Sequence, residues 1–121
     1  MDVSSSIAEN QLTMVLNDSL YLHNAQDFKY IFNSLIEKNF DILLDLSNVK
    51  DIDDVGLACL HYCHELAFEY NSRIFLYRPV DRVKKILQIT KSYDYFDIVD
   101  HKDLEVFERH TENKSELEEV A

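Results

Sequence analysis

Leu43-Leu44-Asp45-Leu46-Ser47-Asn48-Val49-Lys50-Asp51-Ile52-Asp53-Asp54-Val55-Gly56-Leu57 holds the only glycine of a 121-residue chain. The stretch begins inside Phe40-Asp41-Ile42-Leu43-Leu44-Asp45-Leu46, a short and nearly continuous apolar run of the kind found in strands covered on both faces. Residues 47–53 form a polar connection. Beyond it Cys59, Leu60, Cys63, Leu66, Ala67 and Tyr70 recur at intervals of three and four, which predicts a helix over 54–70 with His61, Glu65 and Glu69 on its wet side. Gly56 falls at the start of that helix, where a missing Cβ permits close approach of helix to sheet or an unusual dihedral angle.

Working outward, residues 11–16 carry Leu12, Met14, Val15 and Leu16 and read as a strand that leads to a turn at Asn17, Asp18 and Ser19. Phe28, Ile31, Phe32, Leu35 and Ile36 give residues 25–38 the helix period. Downstream, Arg73-Ile74-Phe75-Leu76-Tyr77 is a second short buried strand. The only proline, Pro79, then suits the first position of a third helix with Val80, Val83, Ile86, Leu87 and Ile89 on its core face. Residues 96–99 add a short strand and 102–109 a last helix. Strands alternating with helices predict an α/β fold of about four to five strands, in a mostly parallel or mixed sheet, with about four to five helices. Residues 1–10 are expected to be a flexible leading segment, 11–109 one domain, and 110–121 an acidic tail.

The 12 basic and 23 acidic residues leave a formal charge of −11, which repels phosphate backbones and anionic headgroups and attracts basic partners. Nucleic acid is thereby disfavoured as a partner. No apolar run approaches the roughly 20 residues of a membrane-spanning helix, and the polar start lacks the pattern of a secretion signal, so a cytoplasmic location without membrane insertion is expected. Cys59 and Cys63 sit four apart on one predicted helix, a poor geometry for a disulfide, and are expected to be reduced.

Residues 43–57 resemble the signature of the STAS domain family: a buried strand ending in Asp-Leu-Ser, a short linker, then hydrophobic-Asp-Ser-Ser/Thr-Gly-Leu. Asp45, Leu46, Ser47, Asp53, Gly56 and Leu57 match it. The strand at 73–77, the helix at 80–89 and Tyr95-Phe96-Asp97-Ile98 are also similar to the family, so the likeness covers about 11–109. In members of the anti-sigma factor antagonist type, the serine after the aspartate is phosphorylated by a partner kinase that doubles as the anti-sigma factor. Asp54 stands in that phosphoacceptor-equivalent position and Val55 in the place of the next hydroxyl residue, so neither accepts phosphate from a serine kinase.

The resemblance implies a binding module without catalysis or cofactor, a monomer or weak homodimer. Its partner would be a kinase-type anti-sigma factor or related switch protein. The implied partner-binding residues are Ser47, Asn48, Asp51, Asp53, Asp54, Val55, Gly56 and Leu57. The family also contains accessory STAS subunits of lipid or anion transport complexes, which is the alternative. At the amino end of a helix, Asp54 would meet N–H groups and a dipole that favour an anion. Its one charge imitates phosphoserine only in part, and an ordinary N-cap aspartate competes as the explanation.

Other chemistry is weaker. Asp45, Asp51, Asp53 and Asp54 match no calcium loop. Cys59, His61, Cys63 and His64 cannot all be aimed inward from one helix, so no zinc site is assigned. A Cys/His nucleophile would need a cleft and a positioned base, and one glycine cannot form a phosphate-binding loop. Ser47, Thr90 and Ser92 are hydroxyls another kinase could use, although surface or capping hydroxyls are common and most are unmodified. A receiver-like phosphoacceptor at Asp45, with Asp18 and Arg78-Pro79 as its partners, is disfavoured because the intervals between these residues are too short.

Overall fold

In the computed structural model, which describes residues 1–100, the four predicted strands at 11–16, 40–46, 73–77 and 96–99 all form, and a further strand precedes them at 3–8. In chain order the elements are β1 (Val3–Ala8), β2 (Gln11–Leu16), α1 (Leu22–Leu35), β3 (Asp41–Asp45), α2 (Asp54–Glu69), β4 (Arg73–Tyr77), α3 (Asp81–Ile89), a 3-10 turn (Ser92–Asp94) and β5 (Asp97–Val99). The sheet order is β1-β2-β3-β4-β5; β1 is antiparallel to β2 and the other pairs are parallel. The domain is therefore α/β with a five-stranded mixed sheet. Three helices are present among the described residues, fewer than the four to five expected, and the helix expected over 102–109 and the acidic tail lie outside the described residues.

Each parallel strand pairs with its predecessor in sequence, so each crossover returns on the same side, as the fixed hand of βαβ units requires. All three helices pack on one face of the sheet. Their buried residues, Phe28 and Phe32 of α1, Cys59, Leu60, Cys63 and Ala67 of α2, and Val83 and Leu87 of α3, join Leu12, Met14, Leu16, Ile42, Leu44, Ile74 and Leu76 in one core. The opposite face carries a smaller cluster of Leu43, Phe75 and Tyr77 with Val99. This arrangement removes the receiver reading, because a receiver is doubly wound, with strand order 2-1-3-4-5.

Residues 3–8, expected to be a flexible leader, instead form an edge strand. A two-residue turn joins it to β2, with Glu9 at φ 49° and Asn10 at φ 65°, the left-handed values that a tight type I′ hairpin needs. Helix α1 starts three residues before the predicted position, because Asn24 anchors its first turn: the Tyr21 N–H donates to Asn24 Oδ1 at 2.8 Å and Asn24 Nδ2 donates to the Ser19 carbonyl at 2.7 Å. Pro79 does not open α3. It is buried one residue before the cap, Val80, and follows Arg78, whose φ is 52°.

Candidate site at the amino ends of the helices

The carboxyl ends of β2, β3 and β4 deliver the chain into connections that meet at the amino ends of α1 and α2. Strand β3 ends on Asp45, whose Oδ1 accepts from the Ser47 N–H at 2.9 Å and from the Ser47 hydroxyl at 2.6 Å, and the Val49 N–H donates to the Leu46 carbonyl at 3.0 Å. The carboxylate thus fixes a tight turn directly after the strand. Asn48 is exposed on that turn and donates from Nδ2 to Asn17 Oδ1 at 2.9 Å.

The connection then runs beside the β2–α1 loop. Leu20 and Ile52 form an isolated parallel bridge, with the Leu20 N–H donating to the Asp51 carbonyl and the Asp53 N–H to the Leu20 carbonyl, both at 3.2 Å. Against this bridge lies Gly56, buried. A Cβ there would stand 2.1 Å from the Leu20 carbonyl oxygen and 2.9 Å from Ile52 Cγ1. Close approach is therefore the reason for the lone glycine, and its φ is not in the left-handed region.

Asp51 and Asp53 both serve this architecture. Asp53 is the N-cap of α2: Oδ1 accepts from the Gly56 N–H at 2.7 Å and Oδ2 accepts from the Leu22 N–H, at the start of α1, at 2.8 Å. One carboxylate thereby caps two helices. The Gly56 N–H and then the Leu22 N–H hold its pKa below the ordinary 3.8. Asp51 accepts from Arg82 Nε of α3 at 2.8 Å and from the Tyr21 hydroxyl at 3.1 Å, and the Arg82 bond lowers its pKa most.

Asp54 is different. It is the first residue within α2, exposed, and among the described residues its carboxylate has no hydrogen-bond or ion-pair partner. The competing explanation from sequence, that Asp54 is the helix cap, is corrected: the cap is its neighbour. Val55 beside it is 42% exposed, and Leu22, whose N–H Asp53 holds, is 70% exposed. Of the residues predicted for partner binding, Asn48, Asp54 and Val55 are presented outward, Ser47, Asp51, Asp53 and Leu57 are half-buried, and Gly56 is buried. Leu22, Tyr21 and Arg82 were not legible as members of this region, since they come from segments distant in sequence.

The remaining candidates have structural surroundings. His61 is half-buried; its Nε2 lies 3.0 Å from the Ser92 hydroxyl, and its ring lies tilted against Tyr95 and Phe96. Ser92 is buried and also bonds the Thr90 hydroxyl at 2.9 Å, which withdraws it from a kinase. Cys59 and Cys63 are buried and unbridged, and burial pushes the Cys63 thiol up. Among the described residues no three His, Cys, Asp or Glu side chains gather as for a metal, and no helix is long and apolar enough to cross a membrane.

Comparison with known proteins agrees with this geometry. A Thermotoga neapolitana protein, whose name assigns it by homology to TM1081 to the anti-sigma factor antagonists, is 30% identical over 86 residues, 69% of this chain and 76% of its own. The crystal structure of TM1081 from Thermotoga maritima superposes with a TM-score of 0.75 at 22% identity, covering 88% of this chain and 92% of that one. Unphosphorylated SpoIIAA, an anti-sigma factor antagonist, gives 0.63 at 14% identity, over 89% of this chain and 96% of its own. The STAS domain model matches residues 2–110, and with the strand order and the glycine-dependent helix start already described, the chain belongs to the STAS domain family.

Proposed function

We propose that this chain is a regulatory binding module of the anti-sigma factor antagonist kind. It would dock a kinase-type anti-sigma factor, or a related switch protein, through the surface at the amino ends of α1 and α2, with Asp54 as a fixed negative charge in the place of a phosphorylatable serine. The observation that carries this reading is the division of labour between two adjacent aspartates: Asp53 holds both helix ends, while Asp54 faces outward with no partner among the described residues. An exposed carboxylate not engaged by the described residues is available to a partner, and a charge there acts where the α2 dipole favours an anion. The net charge of −11 directs the surface toward a basic partner.

The partner is identified by co-purification with the wild-type chain, and an ATP-binding serine kinase homologue is expected. Recovery of transport-complex subunits in its place overturns the antagonist reading and supports the accessory-subunit alternative. With the kinase in hand, Asp54→Ser is expected to bind about tenfold more tightly than wild type and to lose binding once ATP is added and the serine is phosphorylated. Equal affinities with no effect of ATP remove Asp54 from the mechanism.

A further inference from the structure

Strand β1 forms one edge of the sheet, and among the described residues no strand pairs with its outer backbone. The residues flanking the tight turn, Ala8 and Gln11, are a hydrogen-bonded pair, and so are Ser6 with Thr13 and Ser4 with Val15 by the alternation of an antiparallel ladder. The Asn17 N–H donating to the Asp2 carbonyl at 3.0 Å continues the same alternation. Val3, Ser5 and Ile7 therefore turn their N–H and C=O groups away from β2, toward the open edge. Natural edges are commonly blunted by lysine, proline, a bulge or an inward charge. Val3-Ser4-Ser5-Ser6-Ile7-Ala8 has no lysine, proline or charge, and its register with β2 is unbroken. Ile7 is 51% exposed although it lies beside buried Leu12.

We infer that β1 is a homodimerisation edge, pairing antiparallel with β1 of a second copy about a two-fold axis at Ser5. The sequence selects this occupant. Val-Ser-Ser-Ser-Ile is nearly the same read in either direction, so centring the pair on Ser5 sets Val3 against Ile7 of the second copy and Ser4 against its Ser6. In that register Val3, Ser5 and Ile7, which carry the outward backbone groups, face one another, and the ladder closes with six hydrogen bonds. Val3 and Ile7 lie on the helix-bearing face of the sheet, opposite Leu16 and Leu12, so the exposed Ile7 gains an apolar neighbour across the axis. Charge points the same way. A strip without charge on a chain of net charge −11 is where two copies approach with least repulsion.

Strand pairing of this length buries less than the roughly 1,200 Å² of a standard interface, so the dimer is weak, with a Kd on the order of 10–100 μM. It strengthens with added salt, which screens the repulsion between copies. The resulting ten-stranded sheet carries both helix layers on one face, and the Asp54 surfaces lie toward opposite ends of it. This inference is independent of the partner proposed for Asp54.

Sedimentation velocity of the full chain from about 1 μM to about 1 mM is expected to show a reversible monomer–dimer equilibrium. Ser5→Pro removes an N–H that β2 does not use, a substitution edge strands tolerate, and is expected to leave the circular dichroism spectrum unchanged and the protein monomeric. Under mild oxidation Ser5→Cys is expected to crosslink readily, because residues opposed in such a pair have Cα atoms about 5.5 Å apart, within disulfide reach. Ser4→Cys, displaced from the axis and on the other face, is expected to crosslink at least about tenfold more slowly. A wild-type chain that stays monomeric throughout, a dimer that survives Ser5→Pro, or equal crosslinking at the two positions overturns the inference.

Discussion

At Gly56 a single hydrogen in place of a methyl group lets the second helix rest on the backbone of Leu20, 2.1 Å from where a Cβ would be. The obstructing atom is a carbonyl oxygen within a bridge, so it cannot swing aside as a flexible side chain would. Gly56→Ala is therefore expected to cost about 2–3 kcal/mol, the upper part of the overpacking range, as read by urea unfolding. Displacement of α2 should also weaken partner binding more than the loss of stability explains. Among the described residues, Glu9, Asn10, Asn39, Asn71, Arg78 and Lys91, six in all, hold positive φ values without being glycine. Three of the six are asparagine, which tolerates the left-handed region better than other non-glycine residues, and two of these, Asn71 and Asn39, are joined across the fold by a 2.7 Å bond from Asn71 Nδ2 to Asn39 Oδ1.

At the level of elements, the carboxylate of Asp53 ties α1 to α2, and this tie depends on pH. Its folded pKa lies below 3.8, so its contribution is present above the unfolded value and is lost as pH falls through the lowered one. Asp53→Asn keeps one acceptor oxygen and loses the second cap. Its destabilisation relative to wild type is expected to be constant from pH 7 to about 5 and to shrink as pH falls below about 4, measured as the difference in urea midpoints. The strands with dense apolar runs were legible in sequence, and β2 and β4 keep their predicted boundaries at Gln11–Leu16 and Arg73–Tyr77, because burial of such runs outweighs local preference. Strand β1 was not legible: three serines give no alternation, and backbone pairing along one side holds it. The identity of the cap turned on one residue, Asp53 against Asp54, and only hydrogen bonds to Gly56 and Leu22 distinguish them. His61, expected on the wet side, is only half-exposed for a related reason, since the turn at Ser92–Asp94 that it contacts has no strong sequence pattern.

For the molecule as a whole, 23 acidic against 12 basic residues produce a field that reaches beyond any one contact. Association with a basic partner is expected to slow by about tenfold as ionic strength rises from about 20 to 300 mM, measured by stopped-flow, while dissociation changes little. On the proposed function, the charge would guide encounter and the surface around Asp54, Val55 and Leu22 would determine what stays bound. The strand order has a consequence of another kind. From β2 onward each new strand needs only the strand before it as a template, so the longest-range pairings skip no intervening strand and the contacts stay comparatively local. Such a chain can assemble in the direction of synthesis, each βα unit settling on the previous one as it leaves the ribosome.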